Sequence, residues 1–500
     1  MNPQVAAAAI ALVSVATLLI GAFGLRVSRT TSDFYVASRS VSPALNSSAI
    51  GGEYLSAASF LGVAGLVLAS GPEVLWYPIG WTAGYLLLLV FVAAPLRRSG
   101  AYTIPDFAQL RLQSRAVRRA AAVLVVGVGW LYLLPQFQGA GLTVRAVSGA
   151  PGWVGMALVA GIVVVNVVAG GMRSITFVQA FQYWLKLTAL LVPAVVLVRA
   201  WVLDGSPSPV AAQDWVAPFS TTDAQGLYTI YAVMVATFLG TMGLPHVVVR
   251  FYTNPDGRTA RRTTLIVLAL LGGFYLLPTI HGVLGRVYAA DLLVGAGRAD
   301  TVVLELPSRM LGGSLGELMS ALVTAGAFAA FLSTSSGVTM AVAGVLGQGL
   351  SASRAVRGRI GSITALRLSA IACVLVPLGL GLVAEPIPVA SAVTLAFALA
   401  ASTFCPLLVL GIWWRGLTAA GALAGLAAGG LSTLAAALTT LLARPEGWVG
   451  TLTAQPAFWT VPIGFGAMVA VSWFTRADVP ATTDRTMVRL HTPESPRDGR

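Results

Sequence analysis

The sequence predicts an all-α polytopic membrane protein with about 13 transmembrane helices. Of its 500 residues, 57% are hydrophobic and 10% are charged, whereas soluble domains carry about 25% charged residues. The mean hydropathy is +0.83. Apolar runs long enough to cross a bilayer, which takes about 20 residues, predict spans at 5–25, 45–70, 75–96, 120–144, 152–171, 176–200, 227–249, 264–288, 314–349, 362–383, 387–413, 417–442 and 457–475.

The distribution of positive charge predicts the orientation of these spans. With the N-terminus outside, 24 of the 31 Lys and Arg residues lie in cytoplasmic segments, six lie outside, and Lys186 lies within span 6. Membrane proteins carry such an excess of Lys and Arg in their cytoplasmic loops. This excess explains the net charge of +13, so no nucleic acid partner is needed to account for it. The C-terminus is then cytoplasmic. The preference for Arg over Lys, with abundant Ala, Val and Gly, favours a bacterial inner membrane.

Span 2 carries polar residues at its centre. Gly51, Gly52 and Glu53 stand there, although a carboxylate at that depth costs about 2.5–3.5 kcal/mol and glycines weaken a helix. We expect the helix to unwind at the two glycines, where freed carbonyls are tolerated because they line a site. In the alternative interpretation, the glycines permit close helix packing and Glu53 lies in a watery vestibule or near an interface.

Span 7 carries a second interruption, at Gly240, Gly243 and Pro245. It follows span 2 by five spans, and transporters with inverted repeats place a discontinuous helix at matching positions of both halves. The alternative is a structural helix kinked by proline. The spacing predicts these parts: 1–44, a first helix and cytoplasmic loop; 45–200 and 201–413, two inverted repeats of five spans; 414–475, two accessory helices; 476–500, a disordered cytoplasmic tail.

Span 9 contains four consecutive hydroxyl residues, Ser333 to Ser336. Hydroxyls at this depth either join helices or contribute oxygen ligands to a small, hard cation. Both cysteines, Cys373 and Cys405, lie inside apolar spans, which indicates neither a disulfide framework nor a transition-metal site. No cofactor is expected beyond a transported cation.

Five segments resemble the sodium:solute symporter family, most closely its cation/acetate, or monocarboxylate, branch. The resemblance implies a five-plus-five inverted-repeat symporter fold with broken helices at spans 2 and 7, and sodium-driven uptake of a small solute. The segments are GGEYLSAASFLG (51–62), GAYTIPDF (100–107), GGMRSITFVQAFQYWLK (170–186), GLPHVVVRFYT (243–253) and AGAFAAFLSTSSGVTMAVAGVLGQGL (325–350).

The resemblance also implies a sodium site. Its ligands are the carbonyls of Gly52, Leu55 and Ala330 and the hydroxyls of Ser333 and Thr334. The branch has Asp where this chain has Glu53, so Glu53 is expected to act as an electrostatic partner of the cation or as a proton acceptor. Lys186 is expected either to neutralise Glu53 or to extend outward towards the interface.

The solute is expected to be a short monocarboxylate such as acetate, propionate or pyruvate. Half-helix N-termini offer unpaired N–H groups to a carboxylate, and the branch resemblance agrees. The expected contacts are Tyr54, Ser56, Gln136, Thr237, Gly240 and Thr241.

Other functions stay open or are excluded. The same fold could carry proline, pantothenate or a polyol as cargo. It could also be coupled to protons through Glu53. An intramembrane enzyme needs a Ser/His, paired-Asp or HExxH constellation, and a pump driven by ATP needs a GxxxxGK[ST] loop. The sequence contains none of these, and the tail is too short for a sensor's output domain.

Overall fold

The computed structural model describes residues 2–25, 37, 41–208, 223–294, 299–352, 361–383 and 389–493, and these ranges form helices and turns without a strand. Within them, eleven helical stretches are long and apolar enough to cross a membrane. Two of these have 42 and 52 residues, more than twice what one crossing needs. They break at Gly71 and Gly171, where φ is 72° and 59°, conformations suited to glycine. The helical membrane fold is confirmed, and the count of 13 stays a prediction.

The described residues of the first half of the chain form eight helices. They are α1 (Pro3–Leu25), α2 (Pro43–Tyr54), α3 (Val63–Ser70), α4 (Trp76–Leu87), α5 (Ala93–Ser99), α6 (Ile104–Leu112), α7 (Arg115–Ser148) and α8 (Gly152–Leu203). A π-helical turn, Ala58–Gly62, leads into α3, and another, Leu88–Val92, joins α4 to α5. The kink at Gly171 lies inside α8, where the sequence predicts the boundary between spans 5 and 6.

In the second half, the residues that the structure describes form eleven helices. They are α9 (Ala224–Gly243), α10 (Pro245–Val249), α11 (Gly257–Tyr288), α12 (Val302–Met310), α13 (Gly313–Ala352), α14 (Ser362–Val383), α15 (Val389–Trp413), α16 (Ala419–Ala443), α17 (Gly447–Ala454), α18 (Ala457–Phe474) and α19 (Thr483–His491). The break between α9 and α10 is at Leu244, whose ψ of 120° is extended. The predicted discontinuity of span 7 is therefore confirmed.

The long helix α8 lies at the centre of the packing that forms the site. It contacts both α2 and α13, while α9 packs between α4 and α15. The small residues that the sequence places along these helices allow the close approach, as membrane helix packing requires. The polar centres of spans 2 and 9 are thereby brought to one side of α8.

The tail is predicted to be disordered from 476 to 500, and this is wrong for its first part. The helix α19 buries Met487 and Leu490, which are three residues apart and so share one face. That face packs on α5 and α6, and Arg111 donates a hydrogen bond of 3.1 Å to Thr483 Oγ1. Residues 494–500 lie outside the described ranges.

Asp300 is a buried carboxyl group in the connection between α11 and α12. Its side chain is 6% exposed, and its Oδ2 atom accepts a hydrogen bond of 3.3 Å from the Val389 N–H at the start of α15. Burial raises the pKa of Asp300 from 3.8 to about 6, because a charged carboxylate is poorly solvated there.

We expect the folded protein to lose stability as the pH rises from about 4 through 6. Because the folded-state pKa of Asp300 is raised, the stabilising contribution is complete below the unfolded pKa and is lost above the folded one. A shift of two pKa units corresponds to about 3 kcal/mol. Asp300→Asn should remove this dependence and be more stable than the parent at pH 7 in thermal unfolding. The exposed control Asp478→Asn should keep it; equal pH responses of parent and Asp300→Asn would contradict the assignment.

Candidate cation and solute site

The break in span 2 lies after the two glycines rather than at them. The helix α2 continues to Tyr54, and Leu55, with a ψ of 85°, ends it. The predicted unwinding at Gly51 and Gly52 is therefore wrong. A Cβ atom on Gly51 would lie 2.8 Å from the Tyr183 ring, and one on Gly52 would overlap the Gln179 carbonyl oxygen. The glycines are needed for close contact between α2 and α8, as the packing interpretation holds.

The break nevertheless frees the carbonyls that the sequence predicts as ligands. Because the regular helix stops at Tyr54, the last carbonyls of α2 accept hydrogen bonds from side chains of other helices. Lys186 Nζ on α8 lies 2.5 Å from the Gly52 oxygen, 2.7 Å from the Leu55 oxygen and 3.0 Å from Ser333 Oγ. The side-chain nitrogen of Lys186 thus lies among the predicted sodium ligands.

The other two predicted ligands adjoin this cluster. The Ala330 carbonyl accepts a hydrogen bond of 3.1 Å from Ser333 Oγ. Thr334 Oγ1 donates at 2.6 Å to the Glu53 carbonyl of α2. Ser333, Thr334 and Lys186 are all 0% exposed. The structure therefore brings the five predicted residues together where α2, α8 and α13 meet.

Glu53 is paired with Arg250 and not with Lys186. Arg250 Nε lies 2.5 Å from Glu53 Oε2, and both side chains are buried. The same guanidinium donates to Thr176 Oγ1 at 2.9 Å and to Gln179 Oε1. The expectation that Lys186 extends outward is wrong, because its side chain is buried against the α2 carbonyls. Lys186 makes no direct ion pair with Glu53, but the two groups interact electrostatically.

Two of the predicted solute contacts touch each other across the two broken helices. Tyr54 Oη of α2 lies 2.7 Å from Thr241 Oγ1 of α9 and donates to the Trp81 carbonyl at 3.1 Å. One turn earlier on α9, Thr237 Oγ1 donates to the Val233 carbonyl at 2.8 Å. Gly240 lies on the face that contacts α15, where an added Cβ would be 2.5 Å from the Phe397 oxygen.

The remaining two predicted contacts satisfy the backbone just after the break. Gln136 Oε1 accepts a hydrogen bond of 3.0 Å from the Ala57 N–H. Ser56 Oγ accepts one of 3.2 Å from the Ala58 N–H. These N–H groups open a helical segment and have no partner four residues earlier within it. The structure thus gathers Tyr54, Thr241, Gln136 and Ser56 around the break, while Thr237 and Gly240 pack α9 against its neighbours.

A model of the sodium:solute symporter family matches residues 34–429. This range spans both broken helices and the hydroxyl residues of α13. The chain belongs to the sodium:solute symporter family. It is therefore a multi-pass membrane transporter and not an enzyme, and membership supports sodium-coupled symport of a small solute.

Two relatives of this symporter resemble it over most of their length. It is 32% identical over 445 residues to the "Monocarboxylic acid transporter" of Corynebacterium glutamicum, covering 82% of this chain and 79% of the relative. It is 30% identical over 444 residues to the "Uncharacterized symporter YwcA" of Bacillus subtilis, covering 86% of this chain and 85% of the relative.

Solved structures confirm the symporter fold. A Na+-coupled sialic acid symporter in a substrate-bound outward-open state matches with a TM-score of 0.70 at 14% identity, covering 95% of this chain and 97% of that chain. A nucleobase-cation-symport-1 family transporter, closed with bromovinylhydantoin bound, matches with a TM-score of 0.56 at 15% identity, covering 92% and 99%.

Sequence reasoning missed two features of this symporter's site. The first is Arg250, which the charge distribution assigns to a cytoplasmic segment although it is buried against Glu53. A deep carboxylate needs a positive partner, and this requirement was the available signal. The second is an aromatic enclosure beside Tyr54. Its closest ring centroids are 4.8 Å away at Tyr85 and 6.3 Å away at Phe397, and Trp81 lies 6.0 Å from Phe397.

Proposed function

We propose that this symporter couples a cation gradient to the uptake of a short monocarboxylate such as acetate, propionate or pyruvate. In its family the coupling cation is sodium. It would lie in a bacterial inner membrane with its N-terminus outside and its C-terminus in the cytoplasm. The repeats at 45–200 and 201–413 would alternate access, and 414–475 would be accessory. The resemblance to the Corynebacterium transporter supports the monocarboxylate class.

The cation site of this proposal is the cluster of Gly52, Leu55, Ala330, Ser333 and Thr334. Three carbonyls and two hydroxyls supply oxygen atoms without fixed charge, which suits a small monovalent cation. Its position supports coupling, because Gly52 and Leu55 flank the break that also carries Tyr54 and Ser56. A cation bound there fixes the end of α2 against α13, and the solute groups move with that end.

The observation that carries the carboxylate assignment is the pair of N–H groups after the break. Those of Ala57 and Ala58 are held by the oxygen atoms of Gln136 and Ser56 at 3.0 and 3.2 Å. A carboxylate presents two acceptor oxygens and is able to replace both side-chain oxygens at once. The partial positive charge of a helix N-terminus favours an anion there.

The surroundings support a small solute rather than a sugar. Tyr54, Tyr85 and Phe397 enclose the break with apolar rings, and Gln136 and Thr241 are 0% exposed. A sugar needs many side-chain donors and acceptors, whereas acetate or pyruvate needs a carboxylate site and an apolar wall.

We expect proteoliposomes that contain the full chain to accumulate labelled pyruvate when an inward gradient of the coupling cation is imposed. Imposing a sodium gradient and a proton gradient separately identifies that cation. Unlabelled acetate and propionate should compete, and proline and pantothenate should not. Tyr54→Phe removes the hydroxyl shared with Thr241 and Trp81, a change of about 1–1.5 kcal/mol, and should raise the half-saturating pyruvate concentration about 5- to 10-fold.

The exposed control Tyr231→Phe should leave this concentration unchanged. The cargo assignment would be wrong if proline or pantothenate inhibited the accumulation of labelled pyruvate while acetate and propionate had no effect on it. An equal response of Tyr54→Phe and Tyr231→Phe would remove Tyr54 from the solute site.

A further inference from the structure

The aromatic enclosure beside the break contains two buried hydrogen-bond donors that lack a partner. Trp81 and Tyr85 are 1% and 0% exposed. Neither the Trp81 indole N–H nor the Tyr85 hydroxyl has a hydrogen-bond partner among the residues that the structure describes. Residues four apart on a helix are neighbours, so both side chains project from one face of α4. Buried polar groups are nearly always hydrogen-bonded, and each exception requires an explanation.

Contacts on both sides of the break place these two side chains beside it. Before the break, Tyr54 donates its hydroxyl to the Trp81 carbonyl at 3.1 Å, and its ring packs edge-on against Tyr85 at 4.8 Å. After the break, Ser59 Oγ lies 3.0 Å from the hydroxyl of Tyr275, whose ring is 5.8 Å from the Trp81 ring. The N–H groups proposed to hold the carboxylate lie between Tyr54 and Ser59 in the chain. The two unpaired donors therefore border the proposed carboxylate site.

The chemistry of the two donors defines the group that is missing. An indole N–H donates and cannot accept, so the absent partner of Trp81 is an acceptor atom. A carbonyl oxygen has two lone pairs and is able to accept from the indole and from the Tyr85 hydroxyl. The carboxylate of the solute is already assigned to the N–H groups after the break. The remaining acceptor on a short monocarboxylate is an oxygen on carbon 2, which pyruvate has and acetate and propionate lack.

We propose that Trp81 and Tyr85 determine specificity by binding the 2-oxo oxygen of the solute, so that the symporter prefers 2-oxo acids to unsubstituted acids. This inference rests on the proposed function and names the solute class of the same site. The indole N–H and the phenol O–H donate to the 2-oxo oxygen while the N–H groups after the break hold the carboxylate. Propionate has a CH2 group at that position and leaves both donors buried and unpaired. A site that hydrogen-bonds a substrate group strongly rejects the analogue that lacks it.

Pyruvate and propionate form a matched pair of solutes, because they differ only in the group on carbon 2. Proteoliposomes that contain the full chain are loaded with each labelled acid under the cation gradient that drives uptake. The half-saturating concentration of pyruvate should be at least about tenfold lower than that of propionate, the effect of hydrogen bonds made with one solute only. Equal half-saturating concentrations for the wild type would overturn the inference without any variant.

Two substitutions test the donors one at a time. Trp81→Phe removes the indole N–H and should reduce the preference for pyruvate over propionate about tenfold. Tyr85→Phe removes only a hydroxyl, keeps the ring against Tyr54, and should reduce the preference several-fold. The control Trp153→Phe lies on α8, where Trp153 is 59% exposed, and should keep the wild-type preference. A purely structural defect changes uptake of both acids alike and leaves their ratio unchanged.

The outcomes separate this inference from the proposed function. A wild-type preference for pyruvate that persists in both Trp81→Phe and Tyr85→Phe would overturn the role of these residues. Should Trp81→Phe fail to fold, the smaller change Tyr85→Phe decides. Uptake of both acids by the wild type with equal half-saturating concentrations would overturn this inference alone and keep the monocarboxylate assignment. Uptake of neither acid, under a sodium or a proton gradient, would overturn the proposed function and this inference with it.

Discussion

Arg250→Met is expected to abolish uptake and to lower the free energy of unfolding by about 3–5 kcal/mol, the range measured when one partner of a buried ion pair is removed. Arg250 and Glu53 are 0% and 2% exposed. Without the guanidinium, the Glu53 carboxylate stays buried without its ion-pair partner, and Thr176 and Gln179 lose a shared donor. The pair joins α2 to the turn after α10, so its loss also loosens the two broken helices.

The double variant Glu53→Gln with Arg250→Met should recover part of the stability, because it removes both charges together. Arg118→Met is a suitable control, since Arg118 pairs at 2.9 Å with Asp106 but is 35% exposed. Exposed pairs contribute about 0–1 kcal/mol. Denaturation in detergent and uptake of labelled pyruvate measure the two effects. Similar losses for Arg250→Met and Arg118→Met would refute a special role for the buried pair.

The sequence predicted which segments meet but not which side chains pair between them. The apolar runs and the interruptions of spans 2 and 7 were visible as composition, and the structure breaks both helices near the expected residues. The exact residue of the first break was not visible in the sequence. The two glycines Gly51 and Gly52 weaken a helix locally, but local weakness alone does not decide where the helix ends. Close packing against Gln179 and Tyr183 depends on a helix more than a hundred residues away.

The pairing of Glu53 also differs from the sequence prediction. Lys186 was the expected partner of Glu53, and Arg250 is the observed one. Charge alone makes either cation a suitable partner for Glu53. Lys186 reaches the carbonyls of Gly52 and Leu55 because α8 passes the end of α2. Arg250 reaches Glu53 because the chain turns after α10. Both choices follow from the relative placement of helices, which one sequence's composition and spacing do not determine.

Gly52→Ala is expected to reduce uptake at least tenfold and to destabilise the protein by about 1–3 kcal/mol, the cost of overpacking a well-packed interior. The new Cβ atom would overlap the Gln179 carbonyl oxygen and lie 2.8 Å from the Gln179 carbonyl carbon. Backbone atoms do not change rotamer, so α2 must move away from α8. That movement draws the Gly52 carbonyl away from Lys186 Nζ, now 2.5 Å distant.

The matched control is Gly127→Ala on α7, because an added Cβ there meets nothing within 4 Å. Alanine is favoured over glycine in a helix by about 1 kcal/mol, so this variant should be as stable as the parent or slightly more stable, with normal uptake. The two substitutions add the same atom in helices of the same protein and differ only in what that atom meets. If Gly52→Ala and Gly127→Ala gave the same uptake and the same thermal unfolding, close contact between α2 and α8 would not be needed at the cation site.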